Sequence, residues 1–561
     1  MISMRYFADR QWQIRRRIWQ ITTLATAAAL LAGCTATTAP GSSASNAATA
    51  GAAGAAATSA ASQEVSAGSV PIGPPAGSNR PTVPPGGAGG AAPIPHCAHP
   101  APEWDQVTTK VTEHAKATEG YASVDSATAG TPVDLYVSTP AKSFRIDAYR
   151  MGFYGKAPQA CAVWRSAEFN GGIQPSALIL GTVHEPTAPW RRSLTVPTAG
   201  WQPGNYLLRI DGGTPAQRSF IPLTIRSASF AGRVVLVMPD TTWQAYNTWG
   251  GYSLYFGPDH RSADRARIVS FDRPYGYGQG AADFVDDDLP LVTLAESIGI
   301  PLGYATDVDL QRDPAAFRQA RAIISVGHDE YYSPTMRDAL TLARDAGVNL
   351  GFLGANDIYR KIRFADSPIG TDRRIINYKD ATDPIGVPSL VTTQWQDPPS
   401  NDPESSLTGV AYRCASDIFY PIVVADAGNW LFADAGVQDG TALPGIAGHE
   451  FDGINPAKPM PHPLEVLFHS PARCNGRATH QDSTYYTTPS GAGVLDVGAY
   501  FWTCAIANTC RIPIEPAATR IITQVTANFL WAAAAGPLGR AHPAKDTVHT
   551  FYPKPRGPHW R

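Results

Sequence analysis

The residues best placed for chemistry lie in a turn between an apolar run and a helix. Gly-His-Asp-Glu-Tyr occupies residues 327–331, and Ser-Pro follows at the start of a helix predicted over 335–346. A sharp turn between strand and helix lifts its side chains out of the sheet, as in the nucleophile elbow of hydrolases. No serine or cysteine holds the nucleophile position here, which leaves an ordinary helix N-terminus with acidic residues as the simpler interpretation. The functional interpretation is a metal or general acid–base site with four candidates: His328, Asp329, Glu330 and Tyr331.

Two later segments carry similar residue types. Asn-Tyr-Lys-Asp at 377–380 is typical of a strand end and is a weak candidate by itself. Gly-His-Glu-Phe-Asp-Gly at 448–453 places His449 beside Glu450, which resembles a pair of metal ligands. Neighbouring residues on a strand face opposite sides, so one of the two would coordinate and the other would support it. A turn with solvated charges is the alternative for this segment.

The predicted strands and helices that position these residues have the pattern of an α/β domain. Continuous apolar runs alternate with helical patterns near 291–298, 315–320, 335–346 and 519–535, and the runs lie at 234–238, 268–271, 322–326 and 349–353. Strands that are apolar throughout predict a parallel sheet covered on both faces. Ligands bind beyond the carboxyl ends of such strands, where the polar turns lie. We expect this domain over 229–540, with a strand and loop at 304–310 and loop-rich chain over 365–515.

The preceding segment, residues 98–228, has a different pattern. Val133, Leu135 and Val137 alternate with polar or aromatic residues, and a second alternating run lies at 144–149. Short runs of period two separated by Gly/Pro turns predict an immunoglobulin-like β-sandwich. The fold class is therefore α/β, with this sandwich before a parallel-sheet domain, and residues 541–561 read as a basic, proline-rich surface tail.

The N-terminus predicts export and lipid anchoring. Arginines and a short apolar run precede Leu-Ala-Gly-Cys, which ends at Cys34, so 1–34 is expected to be a lipoprotein signal peptide. An ordinary signal peptide with a chance cysteine is the alternative. Residues 35–97 are mostly Ala, Gly, Ser, Thr and Pro, which cannot bury enough apolar surface to offset chain entropy and therefore predict a flexible tether. We expect a bacterial envelope protein, and Thr35 in place of aspartate favours the outer membrane of a Gram-negative host.

The remaining six cysteines suit an oxidising compartment. An even number predicts three disulfides, and fifteen pairings are possible. Proximity in sequence favours Cys504 with Cys510, and the pairs Cys97–Cys161 and Cys414–Cys474 would follow. A catalytic cysteine is the alternative.

Charge and composition limit the function. The 561 residues include 45 basic and 47 acidic side chains, which argues against a nucleic-acid binder, because phosphate binding needs a concentrated positive surface. Apolar residues make up 43%, enough for a large core.

Residues 100–535 resemble the large-subunit family of N,N-dimethylformamidase. The resemblance rests on short motifs: Arg-Met-Gly-Phe-Tyr-Gly at 150–155, Arg-Pro-Tyr at 273–275, the elbow, Gly-Ala-Asn at 354–356 with Tyr359, Asn-Tyr-Lys at 377–379, His-Glu-Phe-Asp at 449–452 and Gly-Ala-Tyr-Phe-Trp at 498–502. Proline tends to stand in the amidase where this chain has Asp329. The family implies a fold like that of class I glutamine amidotransferases, in three layers and without their cysteine nucleophile.

The resemblance also implies a mononuclear ferric iron held by two tyrosinates and one glutamate. Matched by motif, the ligands would be Tyr331, Tyr378 and Glu450, and the fallback tyrosines are Tyr275, Tyr332 and Tyr359. Phenolate and carboxylate are hard anionic donors that suit Fe³⁺. The implied mechanism is hydrolysis in which iron polarises the carbonyl and activates water. His449 or Glu330 would move the proton, while His328 and Asn356 would orient the ligands or the oxyanion.

The sequence therefore leaves two functional interpretations. The first is an envelope metallohydrolase acting on an amide or other C–N bond of a small molecule. The second is a non-catalytic lipoprotein that binds a glycan or protein partner, for which 13 Trp and 22 Tyr residues would serve. A homo-oligomer is compatible with either function, and the family amidase has a small partner subunit.

Overall fold

The computed structural model describes residues 96–109, 117–155, 160–379 and 382–553. The predicted signal peptide with Cys34, and all but the end of the predicted tether, lie outside the described residues. The described chain is a mixed α/β protein with more strand than helix. Within it, no helix is long and apolar enough to cross a membrane.

The N-terminal part consists of strands. An eight-stranded sheet is centred on β3, which pairs with β1, β4, β5, β8 and β9, while β10 joins β9 to β2 and the hairpin β6–β7 stands apart. These strands are β1 (Glu119–Ala122), β2 (Ser126–Thr128), β3 (Val133–Met151), β4 (Ala160–Arg165), β5 (Phe169–Gly172), β6 (Leu178–Leu180), β7 (Glu185–Thr187), β8 (Leu194–Val196), β9 (Gly204–Asp211) and β10 (Arg218–Arg226).

The alternating residues of β3 face a core, and the opposite face is buried as well. Val133 and Leu135 are fully buried in one apolar cluster. Tyr136, the residue between Leu135 and Val137 on the opposite face of the strand, is also buried. It packs in a second cluster with Trp190 and Trp249. Trp249 belongs to the α/β part of the chain, so the second face of β3 is covered by that part and not by solvent.

The α/β part contains fourteen strands and nine helices among the described residues. Its strands are β11 (Val234–Met238), β12 (Ile268–Ser270), β13 (Leu302–Thr306), β14 (Ala322–Ser325), β15 (Tyr331–Tyr332), β16 (Asn349–Phe352), β17 (Arg360–Lys361), β18 (Arg363–Ser367), β19 (Gly370–Ile376), β20 (Ala411–Val423), β21 (Ala442–Gly453), β22 (Leu464–Cys474), β23 (Arg477–Thr487) and β24 (Gly493–Asp496). Its helices are α1 (Asp240–Tyr246), α2 (Leu289–Ser297), α3 (Asp307–Arg312), α4 (Pro334–Asp345), α5 (Ser405–Thr408), α6 (Trp502–Ala507), α7 (Pro516–Ala535), α8 (Leu538–Ala541) and α9 (Val548–Phe551).

The main sheet has the order β13-β11-β14-β16-β24-β23-β22. The first five strands are parallel, and β24, β23 and β22 pair antiparallel. All residues of β11, β14 and β16 are buried, which explains their continuous apolar runs. The predicted helix after the elbow is α4, and the Ser333 hydroxyl accepts a hydrogen bond from the amide of Met336 as its N-cap.

Two predicted elements are different in the structure. The run at 268–271 is β12, which pairs antiparallel with β19 in a separate three-stranded sheet, because an apolar run does not specify its partner strand. The loop predicted around Asp307 is helix α3. The Asp309 carboxylate accepts a hydrogen bond from the amide of Thr306 and so stabilises the start of this helix.

The segment expected to be loop-rich contains the longest hairpins of this part. β20–β21 and β22–β23 pair over 11 to 13 residues per strand. Bulges interrupt the register in both hairpins, and such interruptions break the period-two pattern that sequence reading relies on. The expected tail is also partly folded: Val548 of α9 is buried, and the amide of Thr547 donates to the carbonyl of Leu464.

The six cysteines form three disulfides, Cys97–Cys161, Cys414–Cys474 and Cys504–Cys510. The predicted pairing is confirmed, and no thiol among these six remains for nucleophilic catalysis.

Candidate functional site

The elbow at 327–331 is a tight crossing between two strand ends. Gly327 has a φ of +65°, and a Cβ on Gly354 would lie 2.0 Å from the carbonyl oxygen of Gly327. Glycine is therefore required at both positions. Asp329 faces inward, where its carboxylate accepts hydrogen bonds from Ser325 and Tyr332 at 2.7 and 2.6 Å. Asp329 therefore holds the elbow, whereas the residues on either side of it face the site.

The centre of the site is the carboxylate of Glu330. The hydroxyl groups of Tyr246 and Tyr255 each lie 2.6 Å from its Oε2 atom, and they lie 2.8 Å from each other. The Nε atom of Arg360 lies 3.3 Å from the other carboxylate oxygen, Oε1. Glu330 and Tyr255 are almost completely buried. Two phenols and one carboxylate thus converge on a small triangle of oxygen atoms.

A short loop brings the two tyrosines together. Tyr246 is the last residue of α1, which directly follows the first parallel strand, β11. Gly250 and Gly251 both have a φ near +83°, which reverses the chain after Trp249. The rings of Tyr246 and Tyr255 consequently stack at 4.4 Å between centroids.

A histidine links Glu330 to a second carboxylate. His328 Nε2 lies 3.6 Å from Glu330 Oε2 and 3.5 Å from Glu450 Oε2. The other ring nitrogen, Nδ1, lies 2.8 Å from the carbonyl oxygen of Ala355 and therefore carries a proton. The Asn356 side-chain amide donates to Glu450 Oε2 at 3.1 Å. His328 and Asn356 together hold Glu450 in place beside the oxygen triangle.

The electrostatics separate the two carboxylates. Burial opposes ionisation of Glu330, but hydrogen bonding to His328 and the charges of Lys379 and Arg360 lower its pKa to about 2. Burial raises the pKa of Glu450 to about 7, against the attraction of His328. Burial alone would lower the pKa of His328, yet the two carboxylates raise it to about 10. The site therefore holds one firmly ionised carboxylate and one that titrates near neutrality.

Lys379 is a further basic residue of the site. Its Nζ atom lies 2.8 Å from the hydroxyl of Tyr331 and 3.2 Å from the centre of the Tyr255 ring. Burial, reinforced by the Arg360 charge, holds the lysine pKa well below its usual value. Lys379 has a φ of +62°, a conformation that non-glycine residues adopt rarely and mostly where surrounding structure demands it.

The residues predicted from sequence fall into two groups. The structure brings together His328, Glu330, Tyr331, Asn356 and Glu450 around the site. The hydroxyl of Tyr378 makes no hydrogen bond with any described residue; only its backbone does, to Thr392 and Arg265. Its neighbour Lys379 enters the site instead.

His449 lies at the edge of the site. Its ring meets the Tyr500 ring edge-on at 4.6 Å, and Tyr500 lies 5.0 Å from the ring of His328. The fallback tyrosines, Tyr275, Tyr332 and Tyr359, each contact another residue. Tyr332 binds Asp329, while Tyr359 packs on Tyr412. Tyr275 lies against Trp243.

Sequence reasoning missed Tyr246, Tyr255, Arg360 and Lys379. A signal for the two tyrosines does exist: their segment follows the carboxyl end of β11, where ligand-binding residues collect in parallel sheets. The Trp-Gly-Gly turn at 249–251 marks a reversal that returns the chain to the same edge.

Fold and site together define a class of protein. It is an α/β protein that buries two tyrosines and one carboxylate in a cluster at the carboxyl edge of its parallel strands. The chain belongs to the N,N-dimethylformamidase beta subunit-like family, whose C-terminal family model matches residues 145–512. This match includes every residue of the site described above. No curated protein matches the chain.

Proposed function

We propose that the protein is a metallohydrolase that cleaves an amide or other C–N bond at an iron held by Tyr246, Tyr255 and Glu330. The observation that carries the proposal is the triangle of their three oxygen atoms, with edges of 2.6, 2.6 and 2.8 Å. Two tyrosines and one glutamate are the donor set that the family resemblance implies, although these are not the residues expected from the motifs.

The three residues fit a ferric ion in both spacing and chemistry. Adjacent ligands of an octahedral ion bonded at about 2 Å lie roughly 2.8 Å apart. Phenolate and carboxylate oxygens are hard donors with negative charge, which Fe³⁺ prefers. Burial first, and then the Glu330 charge, holds the pKa of both phenols well above its usual value, so ionising them requires a strong local cation.

A ferric ion would supply Lewis acidity toward a substrate carbonyl. The chain supplies the remaining chemistry. Glu450, held by Asn356 and His328, is the base that accepts a proton from the attacking water. His328 keeps both carboxylates oriented, and its protonated ring stabilises negative charge that develops between them. Lys379 fixes the Tyr331 hydroxyl beside the Tyr255 ring and closes that side of the site to water.

The wider setting belongs to the same proposal. The N-terminal strands would form an immunoglobulin-like sandwich, and the α/β part a three-layer domain like that of glutamine amidotransferases. Lipid attachment at Cys34 would hold the enzyme in a bacterial envelope, with a small-molecule amide as substrate.

The colour of the purified protein tests the ligand set. Phenolate bound to Fe³⁺ absorbs visible light, so the iron-loaded protein should be coloured and contain one iron per chain. Tyr246→Phe and Tyr255→Phe should each lose most of the colour and the iron together. Tyr378→Phe is the matched control and should keep both.

Two results would overturn the proposal. Wild-type protein that stays colourless and iron-free after iron supplementation would leave the binding-protein function instead. Equal loss of iron in Tyr378→Phe and Tyr246→Phe would return the ligand set to the one predicted from the motifs.

A further inference from the structure

Beneath the site lies a second group of buried acidic side chains. Asp357, Asp452 and Asp496 each offer an oxygen atom, and the three atoms lie within 4.8 Å of one another. Each of the three residues is at most 2% exposed. They follow or end three strands of the α/β part, β16, β21 and β24, so the group joins parts of the chain that are far apart in sequence.

Backbone amides hold these carboxylates from outside. The amide of Asp329 donates to Asp357 Oδ1 at 3.0 Å, and that of Gly498 donates to Asp496 Oδ1 at 2.8 Å. The amide of Asn356 lies 3.0 and 2.9 Å from the two oxygens of Asp452. The orientation of all three side chains is therefore fixed before any ligand is present.

No basic side chain in the described part of the chain forms an ion pair with any of the three. Burial raises the pKa of Asp357 and Asp452 well above the usual range and that of Asp496 to about 8. Three buried carboxyl groups without a cation must either share protons or bind an ion, because uncompensated buried charge is costly.

Unpartnered oxygen atoms favour the ion. Asp357 Oδ2 is buried and makes no hydrogen bond to a described residue. Thr484 pairs directly with Asp496 across β23–β24, which places both side chains on the same face of the sheet. Its hydroxyl is also buried without a hydrogen-bond partner among the described residues, and it offers a neutral oxygen on the face of the sheet that carries Asp496.

We propose that Asp357, Asp452 and Asp496, with Thr484 beside them, bind a hard divalent cation of the calcium type, separate from the iron. Two oxygen atoms bonded to one Ca²⁺ at about 2.4 Å are at most about 4.8 Å apart, and no pair among the three oxygen atoms exceeds that separation. The ion would tie together the chain ends that carry Asn356 and Glu450. Its role is therefore to fix the geometry of the site, and binding does not depend on the iron.

Calcium content and thermal stability test the proposal. The purified full chain, treated with EDTA and then with Ca²⁺ alone, should regain about one calcium per chain. Its melting temperature should rise by ~5 °C at saturating Ca²⁺. Asp357→Asn and Asp496→Asn should lose both responses while keeping the visible iron band, since neither residue belongs to the iron triangle.

Asp482→Asn is the matched control. Asp482 is equally buried on the neighbouring strand β23, but its carboxylate already pairs with His469 at 2.6 Å. This variant should be destabilised yet should still respond to Ca²⁺.

One combination of results would overturn the calcium site. If wild type neither binds calcium nor gains stability, and the two Asn variants are as stable as wild type, the carboxyl groups share protons and the proposal is wrong. Glu330→Gln should lose iron and keep calcium; a Glu330→Gln protein that keeps its iron would count against the proposed function alone.

Discussion

Two regions of this molecule bury many charges, and they do so in opposite ways. At the contact between the N-terminal strands and the α/β part, acids meet guanidinium groups. Arg150 of β3 pairs with Glu296 of α2 at 2.7 Å, and Arg373 pairs with Asp272 at 2.6 Å. Further hydrogen bonds, such as that from the Tyr304 hydroxyl to Glu296, satisfy the remaining lone pairs.

At the carboxyl edge of the main sheet, buried carboxyl groups instead lie against tyrosine hydroxyls and other carboxyl groups. Glu330 faces two tyrosine hydroxyls, and the three aspartates beneath it face one another. Basic side chains border the cluster, as His328, Arg360 and Lys379 do around Glu330. In the contact region these ion pairs compensate the buried charges, whereas the edge concentrates oxygen donors that could bind ions from outside. This difference separates charges that hold the two parts together from charges that serve binding.

The largest expected effect concerns a carboxylate at the edge. Glu450→Gln keeps the size and the hydrogen bond from Asn356 but removes the base. We expect kcat/KM for small amides to fall by about 10² to 10⁴, the usual contribution of a general base. Iron content and colour should remain at wild-type levels, because Glu450 is not a ligand in the proposed set. A Glu450→Gln protein that loses its iron would instead favour the ligands predicted from the sequence.

The next effect concerns stability at the contact. Arg150→Met leaves Glu296 buried without its cation, and we expect the free energy of unfolding to fall by about 3 to 5 kcal/mol. Arg165→Met is the control: Arg165 also pairs with an aspartate, Asp147, at 2.6 Å, but it is 62% exposed. Its loss should cost less than about 1 kcal/mol. Chemical denaturation measures both, and equal losses would show that burial does not distinguish the two pairs.

The sequence predicted the strands and helices that border the carboxyl edge better than it predicted the residues that form the site. The apolar runs of β11, β14 and β16 and the helix start at Ser333 could be read directly, because burial on both faces and a capping residue leave local signatures. The elbow was found for the same reason. His328, Glu330 and Asn356 belong to turns at strand ends, and they do lie in the site.

The partners of Glu330 could not be read in this way. Tyr246 ends helix α1 and Tyr255 lies between that helix and β12, and only the tertiary fold brings them to the elbow. Tyr378 and Lys379 are neighbours, and a positive φ at Lys379 decides which of the two side chains enters the site. A motif gives the residues but not this backbone conformation, so it does not show which of the two side chains enters the site.

The smallest expected effect is a pH dependence that arises at a buried carboxyl group of the contact region, Glu119, which forms no ion pair with a described residue. Glu119 of β1 accepts a hydrogen bond from the Trp249 indole at 2.9 Å, and burial raises its pKa from 4.5 to about 8. Because the folded protein holds this proton more tightly, Glu119 contributes its full stability below about pH 4.5. That contribution is lost as the pH rises through 8, since the unfolded chain has then long been ionised.

Glu119→Gln removes the titrating group and can still accept the indole hydrogen bond. Between pH 4.5 and 8, the free energy of unfolding of wild type should fall relative to the variant by on the order of 2 kcal/mol, less than the full shift would give because solvent screens part of it. Urea denaturation at half-unit steps measures the difference. The variant should be the more stable protein at pH 8.5, and parallel curves for the two proteins would mean that Glu119 is already ionised in the fold. In that event the contact region would hold an unpaired buried charge, and the distinction drawn from the carboxyl edge would no longer stand.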